Sequence, residues 1–99
     1  MVKQIDKKGF KNFYNAILSL KNVKECEAFF NDVCTIQELE SFKQRLEVAV
    51  LLKKGMSYTD INKITSASTA TISRVSKYLN YGDGGYSIVI ERMKEEENV

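Results

Sequence analysis

The segment Met56 to Tyr81, MSYTDINKITSASTATISRVSKYLNY, constrains this chain more than any other. It holds two short runs of helical periodicity separated by three small residues. Ser57 is placed to cap the first run, and Asp60, three residues on, completes a variant of the capping box. Ile61 and Ile64 share one face. Ser66-Ala67-Ser68 breaks the pattern, Ser68 can cap a second helix, and Ile72, Val75 and Leu79 recur along it at helical spacing. Two short helices joined by a tight turn form a helix-turn-helix, which binds DNA by laying its second helix in the major groove. Thr69, Ala70, Thr71 and Ser73 would open that helix. They are small or hydroxylated, so backbone can come close to base edges, methyl groups can touch thymine, and hydroxyls can bond bases or phosphates. Tyr58, Thr59, Asn62, Lys63 and Lys77 are the candidates for phosphate or flanking contacts. Thr71 and Ser73 have an alternative in bonding back to helix carbonyls, and Lys77 in being an ordinary surface lysine.

The rest of the chain is also helical in pattern. There is no Pro, and strand-like alternation is nearly absent. Residues 1–5 read as a frayed terminus. Asp6 can cap a helix to about Leu20, with Phe10, Phe13, Tyr14, Ile17 and Leu18 along one stripe. Asn22 can cap a second helix to about Val33, burying Val23, Cys26, Phe29, Phe30 and Val33. Thr35-Ile36-Gln37-Glu38 is a capping box. It opens the longest helix, which carries Ile36, Leu39, Phe42, Leu46, Ala49, Val50 and Leu52 and stops at Gly55. Its end, residues 48–52, is apolar nearly all round, as in a helix buried on several sides. After the helix-turn-helix, residues 82–85 form a Gly-rich break, a last helix spans about Tyr86 to Lys94, and residues 95–99 read as a solvated tail.

These patterns predict an all-α fold of about six helices in a single domain over 1–99. Residues 6–54 form a helical dimerisation core, 57–81 the helix-turn-helix and 84–94 the C-terminal helix. Ninety-nine residues bury only a modest core, whereas three amphipathic helices precede the reading head. The surplus apolar surface points to a homodimer. A two-fold pair of heads can read half-sites one DNA turn apart, roughly 34 Å.

Net charge is only +2, but it is unevenly distributed. Lys53, Lys54, Lys63, Arg74 and Lys77 face Asp60 alone across residues 53–81, and acids outnumber bases beyond Gly82. The basic part coincides with the helix-turn-helix, as a phosphate-facing surface requires. Enzyme chemistry finds little support. With no His there is no His-based triad or general base, and Gly82-Asp83-Gly84-Gly85 lacks the Lys-Ser or Lys-Thr of a phosphate loop. Cys26 and Cys34 are too far apart for a CxxC pair and have no His to complete a metal site, so no metal or cofactor is expected. No signal peptide or bilayer-length apolar run is present, and a cytoplasmic location is expected.

The chain resembles the Trp repressor superfamily, and within it the small YerC/YecD-type branch, from about Thr35 to Met93. The matching features are Leu51-Leu52, Gly55, Met56-Ser57, the small-Ala-small turn Ser66-Ala67-Ser68, and Ala70-Thr71-Ile72-Ser73-Arg74. The resemblance implies an intertwined, all-helical homodimer that regulates transcription by binding operator DNA. The family's best-known member sandwiches a tryptophan corepressor between two arginines, with a glycine beside one of them. The resemblance aligns the first arginine with Glu47, the second with Arg74 and the glycine with Val75. An acid then stands where a cation is needed, which implies an effector cleft unresponsive to tryptophan. It also suggests a Glu47–Arg74 ion pair in the ligand's place. The competing reading is a protein-interaction module that keeps the helix-turn-helix shape without reading DNA.

Overall fold

The computed structural model describes residues 6–97. Six helices are present and no strand occurs among the described residues: α1 (Lys7–Leu18), α2 (Val23–Val33), α3 (Ile36–Lys53), α4 (Tyr58–Thr65), α5 (Thr69–Tyr81) and α6 (Gly85–Glu97). The all-α expectation holds. The frayed terminus expected over 1–5 lies outside the described residues, as does the end of the expected tail.

Local chemistry sets the helix starts. The side chains of Asp6, Asn22, Ser57 and Ser68 each accept a hydrogen bond from the backbone N–H three residues on, satisfying one orphan donor per helix. At α3 the bond is reciprocal. Glu38 N–H donates to Thr35 Oγ1 at 3.1 Å, and Thr35 N–H donates to Glu38 Oε1 at 2.8 Å. The stop of α3 is equally local. Gly55 takes φ +82°, and its N–H and that of Met56 donate back to the carbonyls of Leu52 and Leu51. This is the Schellman pattern, which needs a left-handed residue and so favours Gly.

The chain divides into two compact units, residues 1–39 and 40–99. In the first, α1 and α2 meet through aromatic rings. Phe13 and Phe29 lie 6.4 Å apart, and Phe29 and Phe30 pack edge-to-face at 5.3 Å. Neither helix holds a buried residue. Val23, expected to be buried, is 81% exposed, and Val33 and Ile36 are exposed too. Two helices cannot cover each other all round, so part of each apolar stripe stays open. Cys26 and Cys34 are half-buried free thiols.

The second unit has a true core: Val48 and Ala49 from α3, Ile61 from α4, Ala67 from the turn, Ile72 and Val75 from α5, and Ile90 from α6. Leu46, Val50, Leu51, Leu52, Leu79 and Tyr86 pack against it. Ile64 departs from expectation at 60% exposed, as does Phe42 at 50%. Helix α4 is only 8 residues long and ends at Ser66, whose φ of 63° turns the chain away. That reversal sends Ala67 into the core in place of Ile64. Helix α6 also outruns its expected end at Lys94 and continues to Glu97. Glu has high helix propensity, so a Glu run extends a helix readily.

Candidate nucleic-acid interface

Helices α4 and α5 and the three residues between them form a self-braced unit. Ser66 N–H donates to the Asn62 carbonyl at 2.8 Å. Thr65 Oγ1 donates to the Ile61 carbonyl at 2.8 Å and accepts from Ala67 N–H at 3.1 Å. Asn62 Nδ2 donates to the Ala67 carbonyl at 2.8 Å. Both polar groups of the buried Ala67 backbone are therefore satisfied by side chains, which a buried turn requires. At the start of α5, Ser68 Oγ accepts from Thr71 N–H at 3.1 Å and donates to Thr71 Oγ1 at 3.2 Å.

Within this frame the sequence-identified residues divide. Thr69, Ala70, Ser73 and Lys77 are all exposed. At i, i+1, i+4 and i+8 they follow one ridge of α5, opposite Ile72 and Val75 in the core. Tyr58, Thr59 and Lys63 are exposed on α4. Asn62 is exposed but its amide nitrogen braces the turn, and Thr71 is half-buried with its hydroxyl engaged by Ser68. The outer ridge is thus small and hydroxylated at its N-terminal end and basic further along, with Lys77 Nζ 5.8 Å from the Tyr78 ring centre. No acidic side chain lies within α5.

A cleft of about 200 Å³ opens beside that ridge. Ser41, Gln44 and Arg45 of α3, Thr71, Arg74, Val75 and Tyr78 of α5, and Tyr86 of α6 line it. Val75 is 2% exposed and belongs to the core. The Arg74 guanidinium carbon lies 5.5 Å from the centre of the Tyr78 ring, a cation–π distance. Ser41, Gln44, Arg45, Tyr78 and Tyr86 were missed in the sequence. A signal for three of them existed: Ser41, Gln44 and Arg45 stand at i, i+3 and i+4, in register with the buried Val48 at i+7. Among the described residues no group of His, Cys, Asp and Glu could hold a metal, and no helix is long and apolar enough to cross a membrane.

The family model of the Trp repressor protein matches residues 8–94. The chain belongs to the Trp repressor family. It is 52% identical over 97 residues to the uncharacterised protein YerC of Bacillus subtilis (strain 168), covering 95% of this chain and 93% of that one. Two crystal structures share its fold. One, described as a candidate Trp repressor from Staphylococcus aureus, superposes with a TM-score of 0.86 at 42% identity, over 94% of this chain and 96% of that chain. The other, a TrpR-like protein from Eubacterium eligens ATCC 27750, gives 0.85 at 50% identity, over 88% and 90%.

Family membership sharpens one correction. Glu47 does not stand with Arg74. It is exposed and lines a separate groove of about 290 Å³ with Leu46, Val50, Leu51, Ile64, Thr65 and Met93. Among the described residues the one ion pair is Lys43 with Glu40, at 3.3 Å, so the expected Glu47–Arg74 pair is not formed. The cation that shares a cleft with Arg74 is Arg45. An offset of two residues turns a side chain roughly 200° around a helix, which carries position 47 to the other face of α3.

Proposed function

We propose that this chain is a sequence-specific transcriptional regulator, a repressor, that binds operator DNA as a homodimer through α5. The observation that carries the reading is the exposed ridge Thr69, Ala70, Ser73 and Lys77 on a helix anchored from behind by Ile72 and Val75. Family membership supports DNA as the partner. The exposed aromatic and aliphatic side chains of α1 and α2 support a second copy of the chain as the other. Duplexes selected from a random pool by the purified protein test the reading, since one preferred sequence with paired half-sites is expected.

Lys63→Ala and Lys77→Ala should weaken binding to every sequence. Each should flatten the slope of log affinity against log salt by about one for each phosphate left without its lysine. Ser73→Ala and Thr69→Ala, both on the exposed ridge, should instead change which duplexes are preferred, by about 1–3 kcal/mol for each base that is no longer bonded. Fluorescence anisotropy across a salt series separates the two patterns. If all four variants bind like the parent, α5 is not the reading helix.

The regulator reading does not include tryptophan as effector, and the cleft rather than Glu47 supports this. Val75 lines the cleft where a glycine would leave more room, and the Tyr78 ring already lies against the Arg74 guanidinium. Titration calorimetry with micromolar tryptophan should show no binding heat, and operator affinity should not change when tryptophan is added. Saturable binding that tightens operator affinity would refute this.

A further inference from the structure

The core of the second unit holds α3 against α4 and α5 through apolar contacts of Val48 and Ala49 with Ile61, Ile72 and Val75. Such contacts are strong but non-directional. Their packing favours a crossing angle but singles out no one pair of atoms, so a directed bond can narrow it further. A directed contact does exist. The Gln44 side chain, half-buried on α3, donates from Nε2 to the carbonyl of Thr65 at 3.1 Å, across 21 residues of sequence. Among the described residues it is the one side-chain hydrogen bond that joins α3 to the two-helix unit.

Its acceptor is well placed for leverage. Thr65 is the last residue of α4, so its carbonyl is one of those a helix end leaves without an internal partner. The same residue braces the turn, through its hydroxyl bonds to the Ile61 carbonyl and the Ala67 N–H. Gln44 therefore grips the reading head at a residue that braces its turn. Small angular errors there matter. A rotation of about 10° moves the far end of α5, 13 residues and about 20 Å long, by roughly 3 Å, as far as one hydrogen bond reaches.

We propose that Gln44 is a positioning residue: its amide sets the angle of the reading head on α3, so that α5 is held in a reading orientation by a side chain of this chain itself. The inference rests on the DNA-binding reading for its functional consequence, though not for the tether. Without the amide donor the Thr65 carbonyl has no partner and the head samples a wider range of angles. Sequence-specific contacts, which need several groups placed at once, suffer. Phosphate contacts, which tolerate displacement along the backbone, do not.

The test uses the full chain with Gln44→Met, which keeps the length of the side chain and removes the donor, and with Gln44→Leu, a second side chain that removes the donor and adds no charge. Affinity is measured for a duplex selected by the parent protein and for a scrambled duplex of equal length. Amide hydrogen exchange of residues 66–71 is followed in the free protein. Both variants are expected to bind the selected duplex about three- to tenfold more weakly, as removal of a single neutral hydrogen bond implies. Affinity for the scrambled duplex and its salt slope should stay at parent values, and exchange at Ser66 and Ala67 should quicken. Parent-like affinity for the selected duplex in both variants overturns the proposal. So does an equal weakening on selected and scrambled DNA, which marks general destabilisation rather than misplacement. Should the parent prefer no duplex, the DNA reading fails by itself and the exchange data decide the tether: unchanged exchange at Ser66 and Ala67 overturns it, and quickened exchange supports it.

Discussion

On the proposed dimer and DNA-binding reading, Phe13→Glu is expected to yield a monomer and to cost at least about a hundredfold in affinity for the selected duplex. Phe13 is 38% exposed, with its ring 5.9 Å from Tyr14 and 6.4 Å from Phe29. Phe10, Tyr14, Leu18 and Val23 are more open still, and nothing in α1 or α2 is fully buried. Contiguous exposed apolar surface of this kind marks an interaction site. If a second copy covers it, a carboxylate at position 13 must be desolvated without a partner, which costs several kcal/mol. Dissociation of the dimer removes the second reading head. Two linked heads gain a factor of about 10²–10⁴ over one, because the second binds at high effective concentration. Sedimentation or light scattering at micromolar protein reads the mass, and circular dichroism reads retained helix. A parent protein that is itself a stable, folded monomer would end the dimer reading. A Phe13→Glu variant that stays dimeric would move the interface elsewhere.

What was legible in the sequence was mostly local. Each cap is a bond between a residue and one three positions on, so Asp6, Asn22, Thr35, Ser57 and Ser68 could be found without knowing the fold. Gly55 announced the stop of α3 for the same reason, since a left-handed residue after a helix is a local need. The helix-turn-helix and its outward ridge followed from the spacing of Ile61, Ile72 and Val75. Ile64 shows where spacing fails. It shares a helical face with Ile61, yet whether that face is covered there depends on the chain turning away at Ser66, which periodicity cannot express.

The candidate cleft was the least legible part. Its members come from α3, α5 and α6, and what brings Arg45 to Arg74 is packing across 29 positions of sequence. Of the two positions that the resemblance suggested for an ion pair, Arg74 lines this cleft and Glu47 lines a separate groove. Gln44 is hidden more deeply still. A glutamine on a helix surface is ordinary, and only the position of the Thr65 carbonyl gives its amide a task.

Ile72→Ala is expected to be among the most damaging single truncations in the second unit. Ile72 is fully buried among Val48, Ala49, Ile61, Ala67, Val75 and Ile90, and it stands on α5 between Thr71 and Ser73. Removing a buried Ile side chain down to Ala costs about 2–5 kcal/mol, as forfeited transfer energy plus the cavity left behind. A folded chain of this size holds only about 5–15 kcal/mol in total, at roughly 0.05–0.15 kcal/mol per residue, so the truncation removes a large share of it. Ile72→Val should cost about 0.5–1.5 kcal/mol, because it deletes one methyl group and leaves a smaller void. Tyr81→Ala, at an 87% exposed position near the end of the same helix, should stay within about 0.5 kcal/mol of the parent. Urea denaturation at one fixed protein concentration measures all three, since the stability of any oligomer depends on concentration. The order Ala, Val, Tyr81 follows from burial and from how much of the side chain is removed. Equal costs for Ile72→Ala and Tyr81→Ala would mean that α5 does not rest on this core. The ridge of Thr69, Ala70 and Ser73 would then have no anchor behind it, and the case for α5 as the reading helix would lose its structural basis.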